Sequence, residues 1–360
     1  MSHLAAPPLS TSPFDPENDP TEPWPVEFPT FEPRHWIVNG HLQTILGNIL
    51  PRTNRLPPAV SELVAVGSLP GSGIKSQVLC ECHWQPAAVR SDRPTVVILH
   101  GLEGSSRSQY VLGNAWKFWH AGCNVVRMNM RNCGGTEKLT PTLYHSGMSG
   151  DVGAVMQHFL QKERLRSISL VGYSMGGNLV LKLAGDLGSA APPELHAVVG
   201  VSAAVDLGSS ADALHLSANR FYERRFVRAL VSRYRRKAFL FPRAFDPNRA
   251  NSVTSIRGFD DRITAYYSGF RDADDYYFRA SASRVLDRIR VPTLLLHACD
   301  DPFIRILPET RAAIVANSNI QLLETAHGGH CAFLSTPNPA NDDDGYWAEQ
   351  VARLFVLRHN

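Results

Sequence analysis

Short apolar runs alternate with longer helical stretches along most of this chain. Eight runs have the length and composition of strands: they are Leu63–Val66, Val78–His83, Thr95–His100, Asn124–Asn129, Ser167–Val171, Ala197–Ser202, Thr293–His297 and Ile320–Glu324. Five stretches predict helices: they are Tyr110–Ala121, Met148–Lys162, Met175–Leu187, Glu309–Ala316 and Tyr346–Arg358. The first two runs are near neighbours and could pair antiparallel. The others alternate with helices, which predicts a mostly parallel, doubly wound sheet.

The alternation stops between about residues 207 and 283, where the chain is rich in Arg, Tyr and Phe and has no clear buried strand. We therefore expect a helical cap, residues 207–283, inserted into a single α/β domain. Residues 31–206 and 284–360 would form the core of that domain. The cap would lie over the carboxyl edge of the sheet.

The first 30 residues differ in composition from the rest. Nine prolines lie within the first 33 positions, which excludes a helix or a central strand there. Residues 1–30 are therefore predicted to be disordered or to form an extended arm. The aromatic residues Trp24, Phe28, Phe31 and Trp36 favour an arm that docks at its C-terminal end.

Composition narrows the class of protein. With 360 residues, 44% hydrophobic and 19% charged, the chain can bury a large core. A net charge of +3 is too small to indicate a nucleic-acid partner. We expect neither a signal peptide nor a transmembrane helix, since no basic-then-apolar leader and no run of about 18 apolar residues is present. The six cysteines form no C-x-x-C pair, which favours a reducing cytoplasm.

The stretch at 172–176 carries the strongest chemical signal. Ser174 stands between Gly172 and Gly176, after a predicted strand and before a predicted helix. A strand that turns sharply into a helix needs small residues at these two positions, and it holds the serine above the edge of the sheet. This context predicts a nucleophile elbow with Ser174 as the nucleophile.

An activated serine needs a histidine to take its proton and an acid to orient that histidine. In this architecture the acid follows the serine in the chain. Asp300 and Asp301 both come just after the run Thr293–His297. We prefer Asp301, which stands at the start of the loop directly before Pro302, whereas Asp300 could hydrogen-bond the loop backbone.

The histidine comes last in this order, and two candidates follow the run Ile320–Glu324. They are His327 and His330, separated by Gly328 and Gly329. The paired glycines would let the loop bring His330 close to the serine. We therefore prefer His330 as the base and expect His327 to be an ordinary surface or supporting histidine.

The oxyanion of an acyl-transfer reaction needs two backbone N–H donors. One is expected from Met175, directly after the nucleophile, and the other from Leu102, in the Gly-rich loop after the third run. That loop could instead bind phosphate, but no G-x-G-x-x-G or Walker pattern accompanies it. No H-E-x-x-H motif and no zinc-type spacing of Cys and His is present, so no metal and no cofactor are expected.

Several other residues near the predicted site admit two interpretations. Arg131 follows the fourth run and is either packed in a tight loop or part of the site floor. His145 is either a polar contact near the site or, as we favour, a structural hydrogen-bonding residue. Eight basic residues of the cap form either a solvated helix face or a surface for anionic lipid or acyl substrates: they are Arg220, Arg224, Arg225, Arg228, Arg233, Arg235, Arg236 and Lys237.

Eight segments together resemble one known family: they are Asn39–Thr44, His100–Ser105, Arg131–Gly135, Tyr144–Gly147, Gly172–Asn178, Ser255–Arg257, Asp300–Phe303 and Gly328–His330. The chain from about Phe31 onward is similar to the YheT-type branch of the α/β-hydrolase fold. That branch includes bacterial esterases, yeast medium-chain fatty-acid ethyl ester synthases/esterases and animal ABHD-type lipid hydrolases. The resemblance implies an α/β-hydrolase fold, with Ser174 as nucleophile, Asp301 as acid and His330 as base.

The chain departs from the family pattern at two positions. The family usually has Gly where Asn132 and Ala332 stand here. Both changes are small, and they could alter the shape of the pocket while leaving the triad in place.

The sequence therefore predicts a cytoplasmic serine hydrolase that cleaves carboxylic esters with short or medium acyl chains, or lipid esters. The alternatives are an alcohol O-acyltransferase that uses the same triad and a non-catalytic binding protein on this scaffold. We expect a small-molecule or lipid ester as substrate, no nucleic acid, and transient contact of the basic cap with a membrane surface. The leaving group, the acyl-chain length and the oligomeric state stay open.

Overall fold

The computed structural model describes residues 26–52, 55–67, 76–338 and 343–360. They contain eight strands: β1 Val60–Val66, β2 Ser76–His83, β3 Thr95–Leu99, β4 Asn124–Met128, β5 Ile168–Tyr173, β6 Leu195–Val201, β7 Thr293–Ala298 and β8 Ile320–Thr325. These form one sheet in the order β1-β2-β4-β3-β5-β6-β7-β8. Each of the eight predicted runs is thus a strand.

Strand direction follows the expected pattern. β1 pairs antiparallel with β2, and β2 pairs antiparallel with β4. All pairs from β4 to β8 are parallel. The antiparallel first pair and the mostly parallel sheet are both confirmed. β3, β4 and β5 are buried at every position because helices cover both faces of the sheet.

Eleven α-helices accompany the strands within the described residues: α1 Gly40–Ile49, α2 Gln109–His120, α3 Ser149–Glu163, α4 Met175–Leu187, α5 Leu207–His215, α6 Arg220–Leu240, α7 Ile256–Phe259, α8 Tyr266–Ser268, α9 Ala273–Ala280, α10 Pro308–Ala316 and α11 Trp347–Arg358. α2 and α11 pack on one face of the sheet, and α3, α4 and α10 on the other. Alternate residues of β3 enter the two cores, with Val96 and Ile98 on one side and Val97 and Leu99 on the other. This division is that of a doubly wound sheet.

Sequence reasoning did not predict α1. The helix begins after Asn39, whose side-chain oxygen accepts hydrogen bonds from the N–H groups of His41 and Leu42. Its buried residues include Gln43 and Thr44, whereas Leu42 is exposed. Because part of the inward face is polar and some apolar residues face outward, no buried hydrophobic stripe marks this helix in the sequence.

Every regular element between β6 and β7 is helical in the described residues 202–292. A π-helical turn, Asp260–Ala265, joins α7 to α8. The apolar side chains of α5, α6, α7 and α9 form a core of their own, which also includes Phe303 and Ile304 from the loop after β7. These helices therefore pack over the carboxyl edge of the sheet, where β7 ends. Among the described residues no helix is both long enough and apolar enough to cross a bilayer.

The N-terminal aromatic residues do not all dock as expected. The Phe31 ring lies 5.2 Å from that of Trp347, and Trp347 Nε1 donates a 2.9 Å hydrogen bond to the Pro29 carbonyl. The expectation was wrong for Trp36, which lies in a turn before α1 and is 68% exposed. Trp24 and the other residues of 1–25 lie outside the described part of the chain.

Candidate active site

Ser174 occupies a strained turn between β5 and α4. Its φ of 54° and ψ of −118° are unusual for a residue with a side chain. A Cβ at Gly172 would collide with the backbone of Gly176, and a Cβ at Gly176 would lie 2.5 Å from the His100 carbonyl oxygen. Glycine is therefore required on both sides of Ser174, and the turn has the geometry of a nucleophile elbow.

Asp301 and His330 are joined at the same edge of the sheet. Nδ1 of His330 lies 2.9 Å from Oδ2 of Asp301. The other carboxylate oxygen, Oδ1, accepts hydrogen bonds from the N–H groups of Phe303 (3.0 Å) and Ile304 (2.9 Å). The His330 backbone N–H donates to Thr44 Oγ1 in α1 at 2.9 Å. The loop after β7 and helix α1 together thus fix the position of His330.

The two groups shift each other's pKa in the direction of an ion pair. Burial alone raises the pKa of Asp301, but His330 and the N–H groups of Ile304 and Phe303 hold it below its ordinary value of 3.8. Burial alone lowers the pKa of His330, but Cys331 and Asp301 more than offset this, so the pKa of His330 lies above 6.5. The pair is therefore suited to stabilise an imidazolium while a proton is held there.

The two alternatives left open by the sequence have different contacts. Asp300 Oδ1 accepts a 2.8 Å hydrogen bond from the N–H of Gly329, as expected for a residue that holds the loop backbone. The His327 side chain is 46% exposed, and its Nδ1 lies 3.4 Å from Asp300 Oδ2. Asp300 and His327 therefore belong to the support of the loop, whereas Asp301 and His330 face each other.

No hydrogen bond joins Ser174 to His330 in the described part of the chain, and the two residues are linked through a residue in the wall of a cavity. Ser174 lines this cavity, and so does Phe303, whose ring centroid lies 4.2 Å from that of His330. Catalytic hydrogen bonds of this type are often long without substrate and tighten when substrate is bound.

The two expected oxyanion donors lie on either side of Ser174. Leu102 and Met175 line the same cavity as the serine. A Cβ at Gly101 would lie 3.0 Å from Cβ of Ser174, so the loop after β3 rests against the nucleophile. No hydrogen bond among the described residues uses the backbone N–H of Leu102 or of Met175. Both donors are thus available to a ligand in the cavity.

The loop that carries Leu102 is tied to the helical segment above it. Glu103 has a φ of 58°, and its carboxylate accepts two hydrogen bonds from Arg233 of α6, at 2.9 and 3.1 Å. The hydroxyl of Tyr144 donates to the same carboxylate at 2.6 Å. Sequence reasoning did not assign roles to Glu103 and Tyr144. Their presence in segments that resemble the family was the only signal.

The cavity has about 1020 Å³ of empty space, part of it open to solvent. Its lining is mainly apolar, and the larger apolar residues include Leu102, Leu143, Leu207, Leu214, Phe226 and Leu230. α5 and α6 thus supply much of the wall. Asp260 lies in the lining as well, where burial raises its pKa to about 6 and Tyr277 and Thr264 hydrogen-bond its carboxylate. Such a lining suits an apolar chain with few polar groups.

Two of the eight basic residues of the cap point inward. Arg233 and Lys237 both line the cavity, so the view of all eight as one solvated face is wrong for these two. Nζ of Lys237 donates to Asn132 Oδ1 (2.6 Å) and to the Glu137 carbonyl (2.7 Å), and burial lowers the pKa of this lysine to about 7. Asn132, which replaces the usual glycine, has a φ of 65° and binds the lysine through its side chain. This departure from the family pattern therefore adds a contact between the fourth strand's loop and α6.

Arg131 and His145 have structural contacts. Arg131 is buried and pairs with Asp151 through two hydrogen bonds of 2.6 Å. Nδ1 of His145 accepts a 3.1 Å hydrogen bond from the N–H of Gly147, and burial lowers the pKa of His145 to about 4. His145 also lines the cavity, as a neutral wall residue. In the described residues no cluster of three or more His, Cys, Asp or Glu side chains could hold a metal ion.

Comparison with known proteins gives consistent matches. A family model described as the alpha/beta hydrolase fold matches residues 94–337. The chain is 32% identical over 308 residues to YheT, a provisionally named esterase of Escherichia coli (strain K12). The alignment covers 84% of this chain and 87% of that protein. It is 29% identical over 331 residues to phospholipase ABHD3 of Mus musculus, covering 92% and 77%. It is 26% identical over 280 residues to a monoacylglycerol lipase of Saccharomyces cerevisiae, covering 74% and 60%.

Solved structures share the fold at low identity. A 2,6-dihydroxy-pseudo-oxynicotine hydrolase superposes with a TM-score of 0.54 at 17% identity, over 89% of this chain and 71% of that one. An esterase from Pyrococcus furiosus gives a TM-score of 0.53 at 14% identity, over 90% and 98%. At these identities the likeness concerns the arrangement of strands and helices.

Proposed function

We propose that this chain, a carboxylic ester hydrolase of the YheT-type branch of the α/β-hydrolase family, works through an acyl-enzyme. The acyl group is carried on Ser174. His330 is the general base and Asp301 the residue that orients it. The N–H groups of Leu102 and Met175 bind the oxyanion. The observation that supports these roles most directly is the Asp301–His330 pair, whose imidazole packs against Phe303, a wall residue of the cavity that Ser174 lines.

The reaction follows from these positions. Oγ of Ser174 attacks the ester carbonyl carbon, and its proton passes to Nε2 of His330. The carbonyl oxygen takes the negative charge and accepts the two backbone hydrogen bonds. When the tetrahedral intermediate collapses, the bond to the alcohol oxygen breaks and His330 returns the proton to that alcohol.

The acyl-enzyme is then cleaved by water. His330 takes a proton from the water as its oxygen attacks the acyl carbon, and it returns that proton to Oγ of Ser174 as the acid leaves. The Asp301 carboxylate keeps the Nδ1 proton in place during both steps. No cofactor takes part in this scheme.

The proposed substrates are esters with short or medium acyl chains, or lipid esters. The apolar walls supplied by α5 and α6 favour an aliphatic acyl group, because burial of each methylene in such a site contributes about 0.8 kcal/mol. Two similar proteins are named as a phospholipase and a monoacylglycerol lipase, and this similarity favours lipid esters as substrates. A series of p-nitrophenyl esters of increasing chain length would measure this preference.

Labelling with a fluorophosphonate probe tests the nucleophile. The wild-type chain should react with one equivalent, and Ser174→Ala should not react. Ser210→Ala is the matched control, because Ser210 lines the same cavity outside the proposed machinery. Equal labelling of the Ser174→Ala variant, or none of the wild-type chain, would refute the mechanism and favour a non-catalytic binding protein.

The alternative activity is transfer of the acyl group to an alcohol, which uses the same acyl-enzyme. It replaces water by an alcohol in the second step, so the two activities differ in product. Incubation of an acyl ester with added ethanol separates them. More ethyl ester than free acid in a water-rich buffer would assign the chain as an acyltransferase.

We also propose a cytoplasmic location. All six cysteines are free thiols, and Cys80, Cys82, Cys123 and Cys133 among them are buried. This pattern is usual for proteins of a reducing compartment. Fractionation of cells that express the chain would test the location, and recovery from a secreted fraction would contradict it.

A further inference from the structure

The long helix α6 has two faces with different chemistry. Phe226, Leu230 and Tyr234 face inward and line the cavity. The outward side carries a stripe of exposed residues with helical spacing: it consists of Phe221, Arg225, Arg228, Ser232, Arg235 and Phe239. At 3.6 residues per turn these six lie within an arc of about 80°. The stripe therefore exposes three arginines to solvent, with an exposed phenylalanine at each end of the helix.

Most exposed arginines of α6 have no acidic partner among the described residues. Arg236 pairs with Glu137 and the inward Arg233 with Glu103. Among the described residues no carboxylate pairs with the other exposed arginines of this helix, which are Arg220, Arg224, Arg225, Arg228 and Arg235. Five uncompensated guanidinium groups along one helix create a local positive potential that the net charge of the chain does not show.

Large apolar side chains are exposed along the same helix and on its neighbour. Phe221 is 67% exposed and Phe239 is 85% exposed. On α1 and just before it, Trp36, Leu42 and Ile49 are exposed, and Ile49 reaches 63%. Leu42, Ile45 and Ile49 share one side of α1 by their spacing.

α1 and α6 meet beside the proposed active site. The rings of His41 and Tyr222 stack with centroids 5.8 Å apart, and His41 Nδ1 lies 3.2 Å from the Tyr222 hydroxyl. Phe303 contacts Tyr222 on one side and His330 on the other. The N-terminal ends of α1 and α6 thus lie beside the proposed active site, and the exposed apolar residues of α1 and the basic stripe of α6 extend from there.

We propose that α1 and the outward face of α6 form a docking surface for a lipid bilayer that carries anionic headgroups. Guanidinium groups bind phosphate oxygens through paired hydrogen bonds. Trp, Phe, Leu and Ile side chains enter the boundary between headgroups and acyl chains. The charge of α6 selects an anionic surface, and the aliphatic residues of α1 favour a bilayer over a nucleic acid. The inference concerns binding and does not depend on the proposed reaction.

Sedimentation of the full chain with vesicles tests the proposal. Vesicles of phosphatidylcholine alone are compared with vesicles that contain about one third phosphatidylglycerol, at low and at high salt. Each basic residue near an anionic surface strengthens the binding. Binding to the anionic vesicles should therefore be at least about tenfold tighter than to the neutral ones, and high salt should weaken it.

Variants separate the two parts of the surface. Arg225→Glu with Arg228→Glu should weaken binding to anionic vesicles by about tenfold or more. Ile49→Ser should weaken binding at high salt as well as at low salt, because the apolar contact is not screened. The matched control is Arg164→Glu with Arg288→Glu, two exposed arginines that precede β5 and β7 at the opposite edge of the sheet. This control should bind like the wild-type chain.

Hydrolysis of a short soluble ester is measured in parallel and should be unchanged in all of these variants. Equal binding to neutral and anionic vesicles, or equal loss in the control pair, would overturn the proposal. So would a dimer in solution that Ile49→Ser dissociates, because a second copy would then cover α1. Loss of soluble-ester hydrolysis in the wild-type chain would instead count against the proposed reaction.

Discussion

Replacement of Asp301 by asparagine tests the proposed roles of two adjacent residues. The side chain of Asp301 is fully buried, and its three hydrogen bonds are distributed over both oxygens. An asparagine can keep its carbonyl oxygen toward the N–H groups of Phe303 and Ile304. Its NH₂ group would then face Nδ1 of His330.

That arrangement changes the tautomer of the histidine. An NH₂ group donates its hydrogen bond, so Nδ1 of His330 must accept it and the ring proton moves to Nε2. A protonated Nε2 cannot take the proton of Ser174. In serine triads this change lowers kcat by about 10⁴-fold, which is about 5 kcal/mol of transition-state stabilisation. We expect a loss of that size for Asp301→Asn.

Asp300→Asn is the matched control. Asp300 accepts one hydrogen bond from the backbone of Gly329, and the asparagine oxygen can accept the same bond. We expect less than about a tenfold loss in kcat. The assay is steady-state hydrolysis of a p-nitrophenyl ester, with circular dichroism and thermal unfolding to show that both variants are folded. A folded Asp301→Asn variant that keeps more than about a tenth of the activity, or an equal loss in Asp300→Asn, would refute the assignment of the acid.

Three further predictions concern the base, the oxyanion loop and the elbow. Because the base acts in its neutral form and the pKa of His330 lies above 6.5, kcat/KM should rise with pH through a midpoint above 6.5; a midpoint below that value would contradict the ion pair. Glu103→Gln should lower kcat at least about tenfold with little change in KM, because the loop that carries one oxyanion donor loses its ion pair with α6. Steady-state kinetics would show this loss. Asp212→Asn, which removes an exposed ion pair with Arg257 instead, should have little effect. Gly172→Ala should lower the free energy of unfolding by at least about 2 kcal/mol, because the added Cβ collides with the backbone of Gly176. Gly150→Ala has open space around the added Cβ and should leave the free energy of unfolding unchanged or raise it by up to about 1 kcal/mol. Urea denaturation measures both variants, and equal stability would contradict the elbow argument.

The succession of strands along the chain, with the core helices between them, could be predicted from the sequence. The central strands β3 to β7 are short apolar runs because parallel strands are buried on both faces, and this pattern is visible without any coordinates. The elbow at Ser174 could be predicted for a similar reason, since Gly172 and Gly176 are required locally by the turn. A candidate acid and a candidate base could be placed on the loops after β7 and β8, because the carboxyl ends of parallel strands meet at one edge.

The choice between neighbours needed the folded chain. Asp300 and Asp301 are adjacent and chemically identical, and only the direction of each side chain decides which one reaches His330. Some polar side chains of α1 are buried, so the pattern of apolar residues in this segment does not predict a helix. The inward direction of Arg233 depends on Glu103, a residue 130 positions away. Sequence patterns report local periodicity and turns, whereas these contacts join distant segments, so only the tertiary structure could decide them.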